Sequence, residues 1–503
     1  MQTSIRLLAS SLLIVGGAGY LDAADRTGLE ASVLPSFSIP ISPAVKPYVK
    51  VSATRVALTH LRLIDGTGQT EKDDRTILID GGKIVAVESS AKADTSGALV
   101  VDLTGHTAIP GIVGMHDHLF YVARPNLDTT GHSDPPSVVP PMTFSAIRLY
   151  LANGVTTMRT AGSVEPYADI NLKRLIDAGD LPGPHIDVTG PYLEGANSPF
   201  VEMHQLRDAE DARQTVAFWA AQGATSFKAY MNISRAELKA ATDEAHRLGR
   251  KVTGHLCSVT YPEAVALGID NLEHGFFVNT QLDPGKVPDV CPKTGGVPTL
   301  MEMDPDSPKA GELIELLVSH HVAITSTLAV FEQSAPRHAP IWTRAMDAMT
   351  PQAREAYLYS RNQLDGMPPE RARDRLMALQ RDMALERKFV RAGGLMMSGA
   401  DPTGNGGIIP GFADLRCIEL LVEAGFTAAE AIEIATLNGA TYLGLANRIG
   451  SVEPGKDADL VVLKGDPGRV ITDVENVELV FKDGVGFDTA ALLASVRGRY
   501  GEY

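Results

Sequence analysis

The 503-residue sequence is poor in cysteine and in positive charge. Three cysteines exclude a disulfide-rich scaffold, and an odd number cannot all pair within one chain. The formal net charge of −16 argues against a nucleic-acid-binding protein, because phosphates repel an acidic surface. Hydrophobic residues make up 44% of the chain and charged residues 21%, which excludes a disordered protein. The composition therefore predicts a folded protein with no nucleic-acid partner.

Long apolar segments are also scarce, and the one that stands out lies at the N-terminus. Arg6 precedes an uncharged stretch from Leu7 to Gly19. This stretch is shorter than the roughly 20 residues that a transmembrane helix needs, and its length is typical of a signal peptide. We therefore expect residues 1–24 to be removed and the mature protein to be periplasmic or secreted, without a membrane anchor. A buried N-terminal helix is the alternative.

Both ends of the remaining chain have the composition of β-structure. Four prolines between positions 35 and 47 predict a stiff, extended leader over 25–54. Short β-rich runs follow over 55–110, where Asp80-Gly81-Gly82 marks a hairpin. Similar runs return over 446–490. We expect these two regions to build one small β-sandwich domain.

The central region, 111–445, alternates short apolar runs with amphipathic helical windows, which predicts an α/β fold of the (β/α)8 TIM-like barrel type. Two longer stretches, 279–309 and 332–369, are expected as insertions, either lids or partner surfaces or simple surface excursions. The eight predicted strands are Gly111 to Met115, Thr156 to Arg159, Ile186 to Thr189, Ser226 to Ala229, Lys251 to Gly254, Asn271 to Glu273, Val322 to Ser326 and Leu395 to Ser398.

Several residues that bind metals follow these predicted strands. His116 and His118 end the first strand, and residues at i and i+2 of a strand face the same side. His255, His274 and Asp401 follow three later strands. The C-terminal strand ends of a barrel form its active-site mouth, so these side chains are expected to meet there. His116 and His118 alone would be interpreted as a chance surface pair, and His255 or His274 alone as a core histidine, but the set together predicts a metal site.

Lys228 on the fourth predicted strand needs a separate explanation. A lysine ammonium cannot bind a cation, but a buried lysine loses its proton readily. The neutral amine can then add CO₂ to form a carbamate, an anion able to bridge two metal ions. The alternative is a structural lysine whose charged end reaches solvent.

This combination of residues resembles the metal-dependent amidohydrolase superfamily. The arrangement is similar to its imidazolonepropionase-like branch, which includes Xaa-Pro dipeptidases (prolidases) and ochratoxinase. The resemblance covers roughly residues 55 to 485. Outside the ligands, it is carried by Ala108-Ile109-Pro110-Gly111, Thr436-Leu437-Asn438-Gly439-Ala440 and Gly450-Ser451-Val452-Glu453-Pro454-Gly455-Lys456-Asp457-Ala458-Asp459-Leu460.

The resemblance implies two divalent metal ions, with zinc as the expected metal. One ion would be held by His116, His118 and Asp401, and the other by His255 and His274. The carbamate of Lys228 and a hydroxide would bridge them. The hydroxide would attack an amide bond, in a dipeptide, an N-acyl amino acid or an ochratoxin-like compound, and Asp401 would carry the proton to the leaving amine.

Other residues have two open interpretations each. Tyr230 either donates a hydrogen bond to the oxyanion or packs at the barrel mouth. His204 either contacts substrate or lies on the surface. Arg159 either binds a substrate carboxylate or pairs with an acidic neighbour. Cys257 is expected as a small buried residue and not as a nucleophile.

Rival functions have weaker support in the sequence. The chain has no Gly-x-Ser-x-Gly and no His-Glu-x-x-His motif, which argues against a serine hydrolase and a zincin. A mononuclear cyclic-amide hydrolase or deaminase of the same superfamily is expected to have a His-x-x-Glu motif at this strand. Here His255 is followed by Leu-Cys-Ser, so the glutamate is missing. An inactive binding or scaffold barrel is the remaining alternative. Whether the chain forms a homo-oligomer stays open.

Overall fold

The computed structural model describes five stretches of the chain. The predicted signal peptide and the first part of the predicted leader lie outside the described residues. The five stretches are 41–123, 138–198, 200–341, 343–403 and 408–501.

The central sheet has eight parallel strands that pair in chain order, so the predicted barrel strands are confirmed. Three of them have the predicted boundaries, and the others differ by a few residues at their ends. These strands are β7 (Ile112–Asp117), β8 (Val155–Thr160), β9 (His185–Leu193), β10 (Ser226–Ala229), β11 (Lys251–Gly254), β12 (Asn271–Glu273), β13 (Ala323–Ser326) and β14 (Met396–Ser398).

The first and last strands of this sheet approach each other at their C-terminal ends. The backbone N–H of Asp401, just after β14, donates to the carbonyl of His116 on β7 over 2.8 Å. Gly399 permits this approach, because a Cβ there would lie 2.2 Å from the backbone nitrogen of His116. The barrel is therefore nearly closed at the edge where the predicted ligands lie.

Helices cover the outside of the barrel. Several begin with a side-chain cap; Ser234 and Glu237, for example, form a reciprocal capping box at the start of α4. The helices are α1 (Ser145–Ala152), α2 (Pro166–Asp177), α3 (Ala209–Gln222), α4 (Arg235–Arg247), α5 (Tyr261–Ala266), α6 (Val297–Glu302), α7 (Pro308–Ser319), α8 (Leu328–Glu332), α9 (Thr343–Ala348), α10 (Pro351–Asp365), α11 (Pro369–Arg391), α12 (Phe412–Glu423), α13 (Ala428–Ala435), α14 (Leu437–Tyr442) and α15 (Thr489–Ser495).

Both chain ends contribute to a second, nine-stranded sheet, as the β-rich composition predicted. Its neighbours pair in the order β1-β17-β16-β15-β6-β2-β3-β4, with β5 added beside β2. The predicted hairpin joins β3 to β4 through Gly81 and Gly82, whose positive φ angles of 56° and 82° favour glycine. The strands are β1 (Val49–Val51), β2 (Arg55–Leu63), β3 (Lys72–Asp80), β4 (Lys83–Ser89), β5 (Leu99–Asp102), β6 (His106–Pro110), β15 (Leu460–Lys464), β16 (Val477–Lys482) and β17 (Val485–Asp488).

The described end of the predicted leader differs from an extended spacer. Lys46–Tyr48 forms a short 3-10 turn, and β1 then pairs antiparallel with β17. Pairing supplies partners for backbone groups that an extended leader would leave to water. The segment from 49 to 51 therefore belongs to the nine-stranded sheet built from both chain ends, the terminal sheet.

The two predicted insertions contain short helices. Stretch 279–309 holds α6, and stretch 332–369 holds α9 and α10. Pro351 and Pro369 stand at the first position of α10 and α11, where proline's missing N–H has no helical partner to lose. None of the helices in the described ranges is both long and apolar enough to cross a bilayer.

A disulfide adds a role for Cys257 that the sequence analysis did not predict. Cys257 is buried as expected, but it is bonded to Cys291 in the first insertion, and their Cα atoms are 4.8 Å apart. Sequence reasoning did not anticipate the pairing, because the two cysteines are 34 positions apart. The disulfide ties the insertion to the segment that follows His255.

Replacing both cysteines, Cys257→Ser with Cys291→Ser, should lower the melting temperature measured by calorimetry. Closing a loop of 34 residues is expected to stabilise the fold by about 3–4 kcal/mol on the chain-entropy estimate. The double variant should also be insensitive to reductant, whereas the parent protein should respond. Three free thiols per chain, titrated in denaturant without reductant, would contradict the disulfide.

Candidate metal centre

All six predicted ligands meet at the C-terminal mouth of the barrel. Five of them, all except His116, line one cavity. His116 lies directly beneath, fully buried, with its Nε2 atom 3.0 Å from the Nζ atom of Lys228. The strand ends therefore assemble the cluster that their spacing predicted.

Asp401 lies at the centre of the histidines. Its carboxylate oxygens lie 3.6 Å from His116 Nε2, 3.0 Å from His118 Nε2 and 4.0 Å from His274 Nδ1. Ligand atoms of His116, His274 and Asp401 all fall within 4.8 Å of one another, a spacing able to hold a metal ion. The ring of His255 lies 4.4 Å from that of His274, between centroids.

Two of these residues have unusual backbone conformations. His274 and Asp401 adopt left-handed φ angles of 69° and 52°. This region costs energy for a residue with a side chain, and it persists where surrounding structure imposes it. The left-handed turn lets each side chain face the mouth immediately after a strand ends.

The histidines are held in their neutral form. Burial lowers the pKa of His118 to about 4 and that of His255 to about 3. Burial likewise lowers the pKa of His116 and His274. Neutral imidazole is the form that binds a metal, so the site presents its histidines ready to ligate.

Glu273 fixes the orientation of His116. Its Oε2 atom lies 2.6 Å from His116 Nδ1, so that nitrogen donates its proton and Nε2 is the acceptor nitrogen. Both residues are fully buried. Histidines that bind metals commonly donate their other ring N–H to a carboxylate in this way.

Arg159 neutralises the buried Glu273 carboxylate. Arg159 donates to Glu273 Oε1 over 2.7 Å and to the carbonyl of Met115 over 2.8 Å, and the hydroxyl of Thr253 also donates to Oε1. Burial alone would raise the pKa of Glu273, but Arg159 and His116 hold that pKa well below its usual value. Of the two interpretations of Arg159, the structure therefore supports the ion pair.

Sequence reasoning missed Glu273 as part of the site. Glu273 is the last residue of β12 and directly precedes His274. An acidic residue within an apolar strand is the signal that was available, because a buried carboxylate needs a cationic or hydrogen-bonding partner.

The surroundings of Lys228 favour its neutral form, whereas those of Asp401 favour its charged form. Burial lowers the pKa of the Lys228 ammonium to about 8, since the side chain is 1% exposed. Burial would raise the pKa of Asp401, but His116, His118 and His274 hold it well below its usual value. Lys228 can therefore lose its proton, while Asp401 stays an anion.

Tyr230 lies in the cavity, and His204 does not. The ring of Tyr230 is 5.1 Å from that of His255, between centroids, and burial raises the pKa of its phenol, so the hydroxyl keeps its proton. The side chain of His204 is 49% exposed, and its Nε2 lies 3.1 Å from Asp211. Of its two interpretations, the structure favours the surface position for His204, beside Asp211.

The donor set fits divalent metal ions. His274 Nε2 is buried and lacks a hydrogen-bond partner within the described ranges. Buried polar atoms of this kind need a partner, and a metal ion supplies one. Four imidazoles with a carboxylate suit zinc and neighbouring divalent metals.

Short segments of the chain are similar to curated enzymes. An imidazolonepropionase from Phocaeicola vulgatus is 43% identical over 81 residues, which is 16% of this chain and 19% of that protein. A 5'-deoxyadenosine deaminase from Methanobrevibacter smithii is 37% identical over 59 residues, which is 12% of this chain and 14% of that protein. The chain thus spans less than a third of the length of these relatives.

Solved structures are similar over most of their length. A prolidase candidate from Bifidobacterium longum is 25% identical, with a TM-score of 0.61, covering 90% of this chain and 100% of that one. A Xaa-Pro dipeptidase with bound methionine has a TM-score of 0.64 at 22% identity, covering 86% and 100%. Ochratoxinase from A. niger has a TM-score of 0.60 at 18% identity, covering 86% and 95%. The latter two likenesses establish the barrel fold.

A comparison with models of protein families establishes the family of this chain. The model of the amidohydrolase family matches residues 107–486, which include the barrel and the C-terminal part of the terminal sheet. The match confirms the family that the ligand motifs resembled. Because it covers more than half of the chain, this protein belongs to the amidohydrolase family.

Proposed function

We propose that this protein is a binuclear metal-dependent hydrolase that cleaves the amide bond of a small peptide-like substrate. The observation that carries the proposal is the convergence of His116, His118, Lys228, His255, His274 and Asp401 at one cavity. Family membership supports a metal-dependent reaction at this site.

The residues divide into two sets around the proposed metal ions. His116, His118 and Asp401 would hold one ion, and His255 and His274 would hold the other. When bound, two divalent ions supply a Lewis acid for the carbonyl and lower the pKa of a shared water molecule.

Asp401 is the proposed proton carrier. Its side chain is 15% exposed, which makes it more accessible than the buried His116 and His118 beside it. An anionic carboxylate facing the cavity can accept a proton from the nucleophilic water and pass it to the leaving amine. The protonated phenol of Tyr230 can donate a hydrogen bond to the developing oxyanion.

Lys228 is proposed to carry a carbamate. Its Nζ atom lies within 3.0 Å of His116 Nε2 and lines the same cavity as His255 and His274. An anionic group at this position would adjoin ligands of both ion sets. A permanent ammonium there would instead repel the ions.

The cavity wall favours a substrate with an apolar group. Phe120, Val122, Val139, Phe200 and Met203 line it together with the proposed ligands. Among the described lining residues, Lys228 is the one cationic side chain. We therefore favour N-acyl amino acids and dipeptides whose group at this wall is apolar; the names of the similar prolidase and ochratoxinase structures are in keeping with such amides.

A mononuclear cyclic-amide hydrolase is the second candidate. The imidazolonepropionase and deaminase segments among the curated relatives favour it. The sequence after His255 does not, because Ser258 stands where the glutamate of the His-x-x-Glu pattern would be expected. Metal content distinguishes the two candidates.

We also propose that the protein is exported. Arg6 and the apolar stretch from Leu7 to Gly19 support a signal peptide. The disulfide between Cys257 and Cys291 is an independent argument, since disulfides persist in oxidising compartments and are rare in the cytosol.

Purified protein dialysed against zinc should contain two equivalents of metal and hydrolyse N-acyl amino acids and dipeptides with an apolar group. Removing the metal with a chelator should abolish hydrolysis, and zinc should restore it. Elemental analysis and amine release measure the two quantities. One equivalent with full activity would favour the mononuclear candidate, and zinc-loaded protein inert toward all such amides would refute the proposed substrate class.

Lys228→Ala should reduce activity on the order of a thousandfold, because an anionic ligand is lost from both ions. Lys228→Arg should fail equally, because guanidinium cannot form a carbamate. A short carboxylic acid with zinc should restore part of the activity of the alanine variant. Turnover and metal content are the measurements.

Lys251→Ala is the matched control for Lys228. Lys251 begins β11 at the opposite end of the barrel, where its Nζ donates to the carbonyl of Tyr442 over 2.5 Å. This variant should keep its metal and its turnover. Wild-type turnover in Lys228→Arg would end the carbamate proposal.

Protein made in an exporting host should lack about its first two dozen residues, as removal of a signal peptide requires. Intact-mass measurement of periplasmic or secreted material tests this. Recovery of the protein with Met1 still attached would refute export by this route.

A further inference from the structure

Two carboxyl groups on α11 lie behind the metal centre, outside the proposed ligand set. Asp382 and Glu386 are one helical turn apart, and both are buried, with exposures of 1% and 0%. Neither lines the cavity. A buried pair of acids is costly unless it has specific partners, so their contacts need a reason.

Asp382 binds the backbone just after His274. Its Oδ1 atom accepts a hydrogen bond from the N–H of Phe276 over 2.7 Å. Both acids also press against Gly275, where a Cβ would lie 2.5 Å from Glu386 and 2.7 Å from Asp382. Gly275 has a φ of 57°, so the turn that carries His274 is left-handed at two successive residues and is held from outside by the carboxyl groups.

Glu386 binds the neighbouring strand end. Its Oε2 atom accepts from the hydroxyl of Ser326 over 2.9 Å. Ser326 directly precedes Thr327, whose Oγ1 lies 2.8 Å from His274 Nδ1. The two acids therefore reach both segments that determine how the His274 ring is oriented.

The orientation of His274 has a chemical consequence. With Nδ1 engaged by Thr327, the buried Nε2 is the nitrogen left without a hydrogen-bond partner in the described structure. Tyr261 holds the turn from the other side, since its hydroxyl donates to the carbonyl of Gly275 over 2.8 Å. The ring can then present Nε2 to an ion without searching other rotamers.

The two acids can satisfy each other only if they share a proton. Burial raises the pKa of Asp382 to about 8 and raises the pKa of Glu386 well above its usual value, and the two groups adjoin. Within the described residues, neither acid forms an ion pair with a lysine or an arginine. In such a pair the protonated carboxyl donates a hydrogen bond to the ionised one. An asparagine or glutamine amide can donate the same hydrogen bond, so replacing one acid by its amide should preserve the pair.

We propose that Asp382 and Glu386 are positioning residues that orient His274 Nε2 toward the metal. This role rests on the proposed metal centre. The acids do not touch the metal or the substrate; they act through Gly275 and Phe276 on one side and through Ser326 and Thr327 on the other. Outer residues of this kind typically contribute about 10- to 100-fold to metal affinity.

The experiment measures zinc affinity by chelator competition in Asp382→Ala and Glu386→Ala. We expect one of the two zinc ions to bind about 10- to 100-fold more weakly in each variant. Asp382→Asn and Glu386→Gln should keep wild-type affinity, because each amide can accept the backbone or hydroxyl donor and donate to the remaining carboxylate. A role in stability alone would lower the melting temperature of the alanine variants without changing zinc affinity.

Asp459→Ala is the matched control. Asp459 is also a buried acid with a raised pKa of about 6, and it accepts one backbone N–H, that of Asp483, over 2.8 Å. It lies beside β15 of the terminal sheet, so its loss should lower the melting temperature and leave zinc affinity unchanged.

A second measurement uses metal-free protein. Hydrogen exchange at the Phe276 amide should be faster in Asp382→Ala than in wild type, and unchanged in Asp382→Asn. This result tests the positioning role even if wild-type protein fails to bind two zinc ions, an outcome that would refute the proposed function alone. Wild-type zinc affinity and unchanged exchange in the alanine variants would overturn the positioning role, as would equal zinc loss in the alanine and amide variants.

Discussion

The buried charge of Glu273 is the constraint on which the metal centre depends. This carboxylate contacts His116, Arg159 and Thr253 at once, and none of these side chains is accessible to solvent. A buried charge is tolerated when it is paired and fully hydrogen-bonded, and removing one partner leaves the others uncompensated. Glu273 joins β7, β8, β11 and β12 below the mouth, so the same contacts that hold the strands together also set the direction of the first ligand.

At least two of the proposed histidine ligands are oriented by a hydrogen bond to the ring nitrogen that is not the proposed metal ligand. His116 is oriented by Glu273, and His274 by Thr327, in each case through Nδ1. Burial keeps the imidazoles neutral, and neutral imidazole has a nitrogen free for a metal. The front of the site has a different character, because apolar side chains such as Phe120, Phe200 and Met203 form part of the cavity wall. The polar ligand cluster and the apolar lining residues together suit a substrate with a polar reacting bond and an apolar neighbouring group.

Much of the architecture followed from local patterns in the sequence. The strands of the barrel are short apolar runs bounded by helical windows, and Ser226–Ala229, Lys251–Gly254 and Asn271–Glu273 have the boundaries that the pattern predicted. The convergence of the ligands was predictable too, because parallel strands end at one edge and each candidate followed a different strand. The same reasoning left the position of His204 open, since a residue in a long loop has no strand to fix its direction.

The sequence by itself determined the barrel, the β-structure of both chain ends and the identity of the six candidate ligands, since these depend on periodicity and on position at strand ends. The tertiary structure alone decided which distant residues meet: Arg159 with Glu273, Cys257 with Cys291, and Asp382 with the turn after His274. No local pattern encodes such pairs. They depend on how strands stagger and how helices pack across the barrel, and their chemistry is complementary only after folding has removed water from between them.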